Sequence, residues 1–175
     1  MSKSWRVEAL EWGKSFALAI ILALVIRIFL IEVYIVDGVS MQPSLHHGER
    51  VLVNKLVYRF TEPGFADVIV FRYPRDRERD FIKRVVAVAG QTVETRDSHL
   101  YVDGMRLTEP YLDVATHGTF GPTVVPDGTV FVMGDNRQFS LDSRDPAVGF
   151  VPITEIKGKA MVIFWPLPAL RLVPQ

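Results

Sequence analysis

The sequence predicts a mostly β fold: an N-terminal transmembrane helix followed by an all-β domain that carries a smaller inserted β lobe. Three observations predict it. Residues 16–31 form an apolar run broken only by Arg27. Beyond that run the helical period gives way to short stretches rich in Val, Ile, Phe and Tyr, separated by Gly, Pro and Asp-Gly turns. Between 91 and 128 a Gly/Thr/Pro-rich stretch breaks the rhythm, as an insertion would.

The helix comes first. Residues 13–31 supply a segment close to the ~20 residues that a helix needs to cross the hydrocarbon. Twelve of residues 16–31 are Leu, Ile, Val or Phe. At roughly −0.3 to −0.6 kcal/mol each, they outweigh one arginine at about +2.5 to +3.5 kcal/mol. Arg27 lies near the outer end, where its head can snorkel to the headgroups. No small-x-small cleavage site follows, so the segment reads as a retained anchor in a lipid bilayer. Lys3, Arg6 and Lys14 precede it. By the positive-inside rule they place residues 1–12 in the cytoplasm, with 32–175 outside. A buried core helix is the other reading of the same run.

The strands follow in order. Residues 32–36 form one, and 50–57 another, after a His-Gly turn. Residues 67–72, DVIVFR, are nearly all apolar, as a strand buried on both faces would be. Residues 80–89, DFIKRVVAVA, form a further strand, and the charged run YPRDRERD before it reads as a solvated hairpin loop. Residues 100–107 hold Asp-Gly between two short apolar runs, a hairpin signal. Pro126-Asp127-Gly128 makes another turn before the strand at 129–133, and a last strand at 159–165 runs into a proline-rich tail.

Composition narrows the chemistry. The 175 residues carry 20 basic and 20 acidic side chains, which argues against a nucleic-acid partner. The absence of cysteine excludes disulfides, thiol catalysis and thiolate metal sites. Of the four histidines, His46 and His47 sit beside a glycine and read as turn residues, while His99 and His117 fall in the inserted lobe. So scattered a set makes neither a metal site nor a triad, and no cofactor is expected.

Ser40 stands out within DGVSMQPSL, residues 37–45, directly after the anchor. A serine hydroxyl is a poor nucleophile until a base takes its proton. There is no Gly-x-Ser-x-Gly elbow, Ser-x-x-Lys pair or His-Glu-x-x-His helix to supply one. Lys83 is the remaining candidate. Strand alternation puts Phe81, Lys83, Val85 and Ala87 on one face, so the amine sits among apolar neighbours. An unperturbed lysine would cost about 4.6 kcal/mol to deprotonate at pH 7, and desolvation is what lowers that cost. The ordinary alternative is a strand-edge lysine that discourages aggregation. The third segment, GDNRQFSLDSR at 134–144, opens with Gly134 and Asn136, which suit a turn. Asp142 can pair with Arg144, and Ser140 offers a hydroxyl that could orient a neutral amine. A plain ion-paired loop fits the same residues.

The three segments in this order, behind one N-terminal anchor, closely resemble the bacterial type I signal peptidases, membrane-bound Ser/Lys proteases that cut signal peptides from exported preproteins. GFADVIVFRYP at 64–74 resembles a further box of that family, and the likeness runs from about Trp12 to Trp165. The resemblance implies Ser40 as nucleophile and Lys83 as general base. It implies that Met41 and Pro43 shape the nucleophile's loop and that Ser140 hydrogen-bonds the lysine. Asp135, Arg137, Asp142 and Arg144 would brace the last loop. The Ser40 N–H would be one oxyanion donor; Gly38 stands where some members carry a serine that gives a second. Ser44 stands in place of the usual threonine, and Gln91 where an acidic residue is common. The implied substrate is a preprotein bound as an added strand, with small side chains at −1 and −3. A self-cleaving repressor using the same dyad, an anchored peptide-binding module without catalysis, and a histidine-dependent hydrolase are the competing readings.

Overall fold

A computed structural model of the chain describes residues 5–25, 29–112, 115–116 and 118–175. The N-terminal helix α1 spans Trp5–Val25. Its apolar residues encircle the axis instead of forming a stripe, and Phe16, Leu18, Ile21 and Leu24 are all exposed. Among the described residues no helix is long and apolar enough to cross a membrane. The expected anchor differs in its bounds: α1 starts eight residues earlier than residue 13, and Ile31 already belongs to a strand. Arg27 and Lys3 lie outside the described residues, as does His117.

Among the described residues twelve strands follow: β1 (Ile31–Ile35), β2 (Arg50–Asn54), β3 (Val68–Arg72), β4 (Asp80–Val88), β5 (Thr92–Arg96), β6 (His99–Val102), β7 (Met105–Arg106), β8 (Phe120–Val124), β9 (Thr129–Met133), β10 (Val151–Pro152), β11 (Ile156–Trp165) and β12 (Arg171–Leu172). They build two antiparallel sheets. The larger runs β1-β2-β11-β3-β4-β9-β10, with β12 on β11, and the smaller runs β7-β6-β5-β8. The smaller sheet thus comes from residues 92–124, within the stretch read as an insertion.

Local chemistry sets several boundaries. The strand expected over 50–57 stops at Asn54, whose Oδ1 accepts the N–H groups of Leu56 (2.8 Å) and Val57 (3.2 Å). An asparagine that captures its own downstream amides turns the chain out of the ladder. A one-turn helix α2, Val57–Phe60, follows. The DVIVFR run is buried on both faces from Val68 to Phe71. The charged run after it is a hairpin loop, closed by Tyr73 N–H to the Arg79 carbonyl at 2.9 Å. Asp103 and Gly104 both take positive φ between β6 and β7, as the tight primed turn requires.

Three apolar clusters hold the sheets. Met41 and Leu45 of the loop after β1 pack with Val51, Val53, Val68 and Val70. Ile69, Phe71, Val85 and Val132 pack on the opposite face of β3 and β4. Val86, Ala87 and Phe131 join the larger sheet to Val93, Leu100 and Val102 of the smaller one. The simple alternation expected along β4 therefore fails after Val85. A register shift against β9 falls between Val85 and Ala87, so Val86 and Ala87 both reach the inter-sheet cluster.

The middle of the larger sheet leaves no room at Gly158. A Cβ there would stand 2.3 Å from the Asn54 carbonyl oxygen, a backbone atom that cannot swing aside. Gly158→Ala is expected to cost about 1–3 kcal/mol through overpacking. In a chain of this size that lowers Tm by roughly 2–12 °C, readable by thermal unfolding.

Candidate active site

Ser40 and Lys83 meet. The Lys83 Nζ lies 2.7 Å from Ser40 Oγ and 2.9 Å from the Ile82 carbonyl. Lys83 pairs with Ile69 of β3 on one side and comes just before β9 joins β4 on the other, at Arg84. It is nonetheless not a solvated edge lysine: only 4 % of it is exposed, and its amine faces the ring of Phe81 at 5.2 Å. No carboxylate touches it among the described residues. Burial lowers its pKa to about 8, against the upward pull of the Asp142 and Asp135 charges. The neutral amine is thus accessible near physiological pH. It can accept the Ser40 proton across the same 2.7 Å contact.

The loop that carries Ser40 is pinned from below and from the side. Met41 and Leu45 are fully buried plugs, and the Leu45 N–H donates to the Met41 carbonyl at 2.9 Å. The Gln42–Pro43 bond is cis. The Gly38 N–H donates to His47 Nδ1 at 3.1 Å, so His47 serves the turn and does not reach Ser40. Beside this loop runs the 134–144 segment. The Asn136 N–H donates to the Ser40 carbonyl at 3.0 Å, and the Asn136 side chain to the Val39 carbonyl at 3.2 Å. A Cβ on Gly134 would stand 2.4 Å from that same Ser40 carbonyl, so close approach requires this glycine.

The charged residues of the segment are all engaged, with partners partly other than expected. Asp142 takes the Arg144 side chain at 2.8 and 2.9 Å and the Gly134 N–H at 3.0 Å. Asp135 instead pairs with Arg84 of β4, in a fork of 2.8 and 2.7 Å, both side chains fully buried. Arg137 reaches out of the segment to Glu109 and Thr116. Arg84 and Glu109 are the residues that sequence reasoning missed. A Lys-Arg pair inside an otherwise apolar strand was the available signal for Arg84; nothing local marks Glu109. One expected contact does not form. The Ser140 Oγ is buried without a hydrogen-bond partner among the described residues, and it packs against Gly134 instead of bonding the lysine. The Ile82 carbonyl holds the amine in its place.

A groove of about 390 Å³ opens onto the dyad. It is lined on one side by 34–40 and on the other by 79–83, with Val70, Phe139 and Leu141. Both walls are unpaired strand edges. β1 pairs only with β2, and β4 meets β9 only from Arg84 onward. Among the described residues no group of three or more His, Asp or Glu side chains could hold a metal ion.

The family model for "Signal peptidase, peptidase S26" matches residues 9–165. Signal peptidase I T of Bacillus subtilis is 40 % identical over 172 residues, covering 93 % of this chain and 88 % of its own. Signal peptidase I of Bacillus licheniformis is 39 % identical, covering 92 % and 91 %. The crystal structure of a signal peptidase I from Enterococcus faecalis superposes with a TM-score of 0.50 at 33 % identity, over 57 % of this chain and 97 % of that one.

The dry lysine carries a stability cost with a definite sign. Its folded pKa of about 8 lies below the ordinary lysine value of 10.5. The penalty is therefore fully present below pH 8 and disappears as pH rises from 8 through 10.5. Lys83→Met removes it and is expected to raise unfolding free energy at pH 7 by up to about 3 kcal/mol, and by almost nothing above pH 10.5. Denaturant titrations at the two pH values check this.

Proposed function

The chain belongs to the signal peptidase S26 family of serine peptidases, and from that premise we propose that it is a membrane-anchored endopeptidase that removes signal peptides from exported preproteins with a Ser40/Lys83 dyad. The contact between a serine hydroxyl and a buried, carboxylate-free amine at 2.7 Å carries the reading. Neutral Lys83 takes the Ser40 proton, and the alkoxide adds to the carbonyl of residue −1. The ammonium then protonates the leaving nitrogen as the C–N bond breaks. A water, deprotonated by the same amine, cleaves the ester and returns the serine. The Ser40 N–H faces the developing oxyanion. Asp135, Asn136, Arg137, Asp142 and Arg144 hold the neighbouring segment against the Ser40 backbone, and Met41 and Pro43 shape its loop.

The groove supports an extended substrate. A peptide lying between two unpaired strand edges gains backbone hydrogen bonds on either side. The apolar walls suit small side chains at −1 and −3. The N-terminal helix supports the anchor. An exposed helix that is apolar all round has no stripe to bury on a protein core. With the apolar run in the bilayer, the residues before it lie in the cytoplasm and the strands outside, in a plasma or thylakoid membrane. Trp165, Leu167, Leu170 and Leu172 form an exposed apolar rim that would rest at the lipid surface. Shared attachment to the bilayer raises the effective concentration of a preprotein whose own apolar segment sits there.

Cleavage of a preprotein by the full chain in detergent tests the reading. Ser40→Ala and Lys83→Ala are each expected to lower kcat/KM by more than about 10⁴-fold. Binding of the preprotein without turnover in the unaltered chain would sink the proposal in favour of a peptide-binding module. The pH profile follows from the base: kcat/KM rises as pH rises toward about 8 and levels off above it, because only the neutral amine takes the proton.

A further inference from the structure

We propose that His47 is a positioning residue: its side chain aims the Asp37 carbonyl into the groove, where that oxygen accepts a backbone N–H of the bound peptide. This rests on the peptidase reading above. Beyond Ile35 the chain runs on toward Ser40 as one wall of the groove. Successive residues of an extended chain send their N–H and C=O groups to alternate edges. Val36 spends both on the β2 side: its N–H donates to the Glu49 carbonyl at 2.8 Å, and its carbonyl accepts from the Gly48 N–H at 2.9 Å. Ile35 and Asp37 therefore turn theirs to the open edge.

One residue further on, a side chain takes the place of a ladder partner. The Gly38 N–H donates to His47 Nδ1 at 3.1 Å, and among the described residues it has no other partner. The Asp37–Gly38 peptide is trans. A planar trans peptide points its N–H and its C=O in opposite directions. Holding the Gly38 N–H against the 46–48 turn thus fixes the Asp37 carbonyl on the groove side. Gly38 itself supplies no such constraint. Its φ of +94° lies where glycine moves freely, and a Cβ there would meet nothing within 4 Å. Without the imidazole, this peptide plane can turn and carry the acceptor away from the groove.

The contact also defines what the ring must be. Nδ1 accepts only when the ring's hydrogen sits on Nε2. Asp37 Oδ1 lies 3.3 Å from the same nitrogen, but a nitrogen that accepts has no hydrogen left to donate. The Asp37 side chain is 89 % exposed, so solvent satisfies its carboxylate. His47 therefore acts through a lone pair and not through charge. An asparagine at 47 offers an amide oxygen at nearly the same reach from the backbone, with no charge and no basicity.

Cleavage of a preprotein by the full chain in detergent gives the first readout. His47→Ala is expected to raise KM by about 5–20-fold and to leave kcat within about threefold, since one aimed backbone hydrogen bond is lost. His47→Asn should restore KM to within about threefold of the unaltered chain, because its amide oxygen accepts as the imidazole does. Peptides spanning the cleavage site give the second readout, with the amide N–H of residue −2, −3, −4 or −5 replaced in turn by an ester oxygen. One of these replacements is expected to cost about 5–20-fold in kcat/KM in the unaltered chain and in His47→Asn, and less than about twofold in His47→Ala. That ratio is internal to each variant, so a loss of folded protein does not obscure it. An unchanged KM in His47→Ala would overturn the proposal, as would a loss confined to kcat, an asparagine variant as poor as the alanine one, or ester penalties equal in all three proteins. Failure of the unaltered chain to cleave would overturn the peptidase reading itself.

Discussion

Two cationic residues stand side by side in the middle of a strand that has almost no access to water, and the surrounding structure is arranged around that fact. Burying a charge is costly unless it is paired and hydrogen-bonded. The pleat sends Lys83 and Arg84 to opposite faces, where they meet opposite fates. On Arg84 every N–H of the guanidinium is used. Asp135 takes two, the Ala66 and Pro174 carbonyls two more, and Ser44 Oγ the fifth at 3.3 Å, with the Tyr111 ring stacked 3.9 Å away. Lys83 receives no carboxylate, only a hydroxyl and a carbonyl. The one stable option for such an amine is to give up its proton easily. Pairing on one face and its absence on the other thus produce a structural cation and a candidate base from adjacent residues.

The same division explains why the smaller sheet bears on the site. Arg137 is buried in the 134–144 segment, and the carboxylate that balances it, Glu109, is supplied by the chain between β7 and β8. Its Nε returns to the Gly134 carbonyl at 3.1 Å, and its own carbonyl accepts from Arg144 at 2.7 Å. The segment that touches the Ser40 backbone is therefore tied to both sheets. Removing one partner of a buried pair leaves an uncompensated charge, which costs about 3–5 kcal/mol. The smaller sheet acts as a brace for the loop beside the nucleophile.

Much of this could be read from the residues alone, and the failures have physical causes. The β-rich character, the hairpin at Asp103-Gly104 and the doubly buried 68–71 run follow from period and turn chemistry, which are local. The meeting of Ser40 and Lys83 was reachable through the order of three motifs, whereas periodicity alone favoured an edge lysine. Beyond that, sequence runs out where contacts are long-range or cooperative. Nothing near Asp135 says that its partner lies 51 residues earlier. Nothing near Ser140 says that its hydroxyl will pack against Gly134 and bond no partner among the described residues. The bulge after Val85 is decided by the partner strand, and the end of β2 by one asparagine side chain that a propensity scale treats as a mere weak strand former.

Among the acceptors around Arg84, the carbonyl of Pro174 has an origin unlike the rest. It belongs to a strap that leaves β11, turns through 167–169 and folds back, with Arg171 gripping Glu49 and the Ser44 carbonyl beside the nucleophile's loop. Ribosomes deliver residues in order, so Arg84 emerges some ninety positions ahead of this acceptor. Until then its guanidinium must keep bulk solvent as a substitute, and the strand beside it cannot dry out. Dehydration of the neighbouring amine, and any hydrolytic competence that depends on it, is thereby deferred until residue 174 has joined the fold.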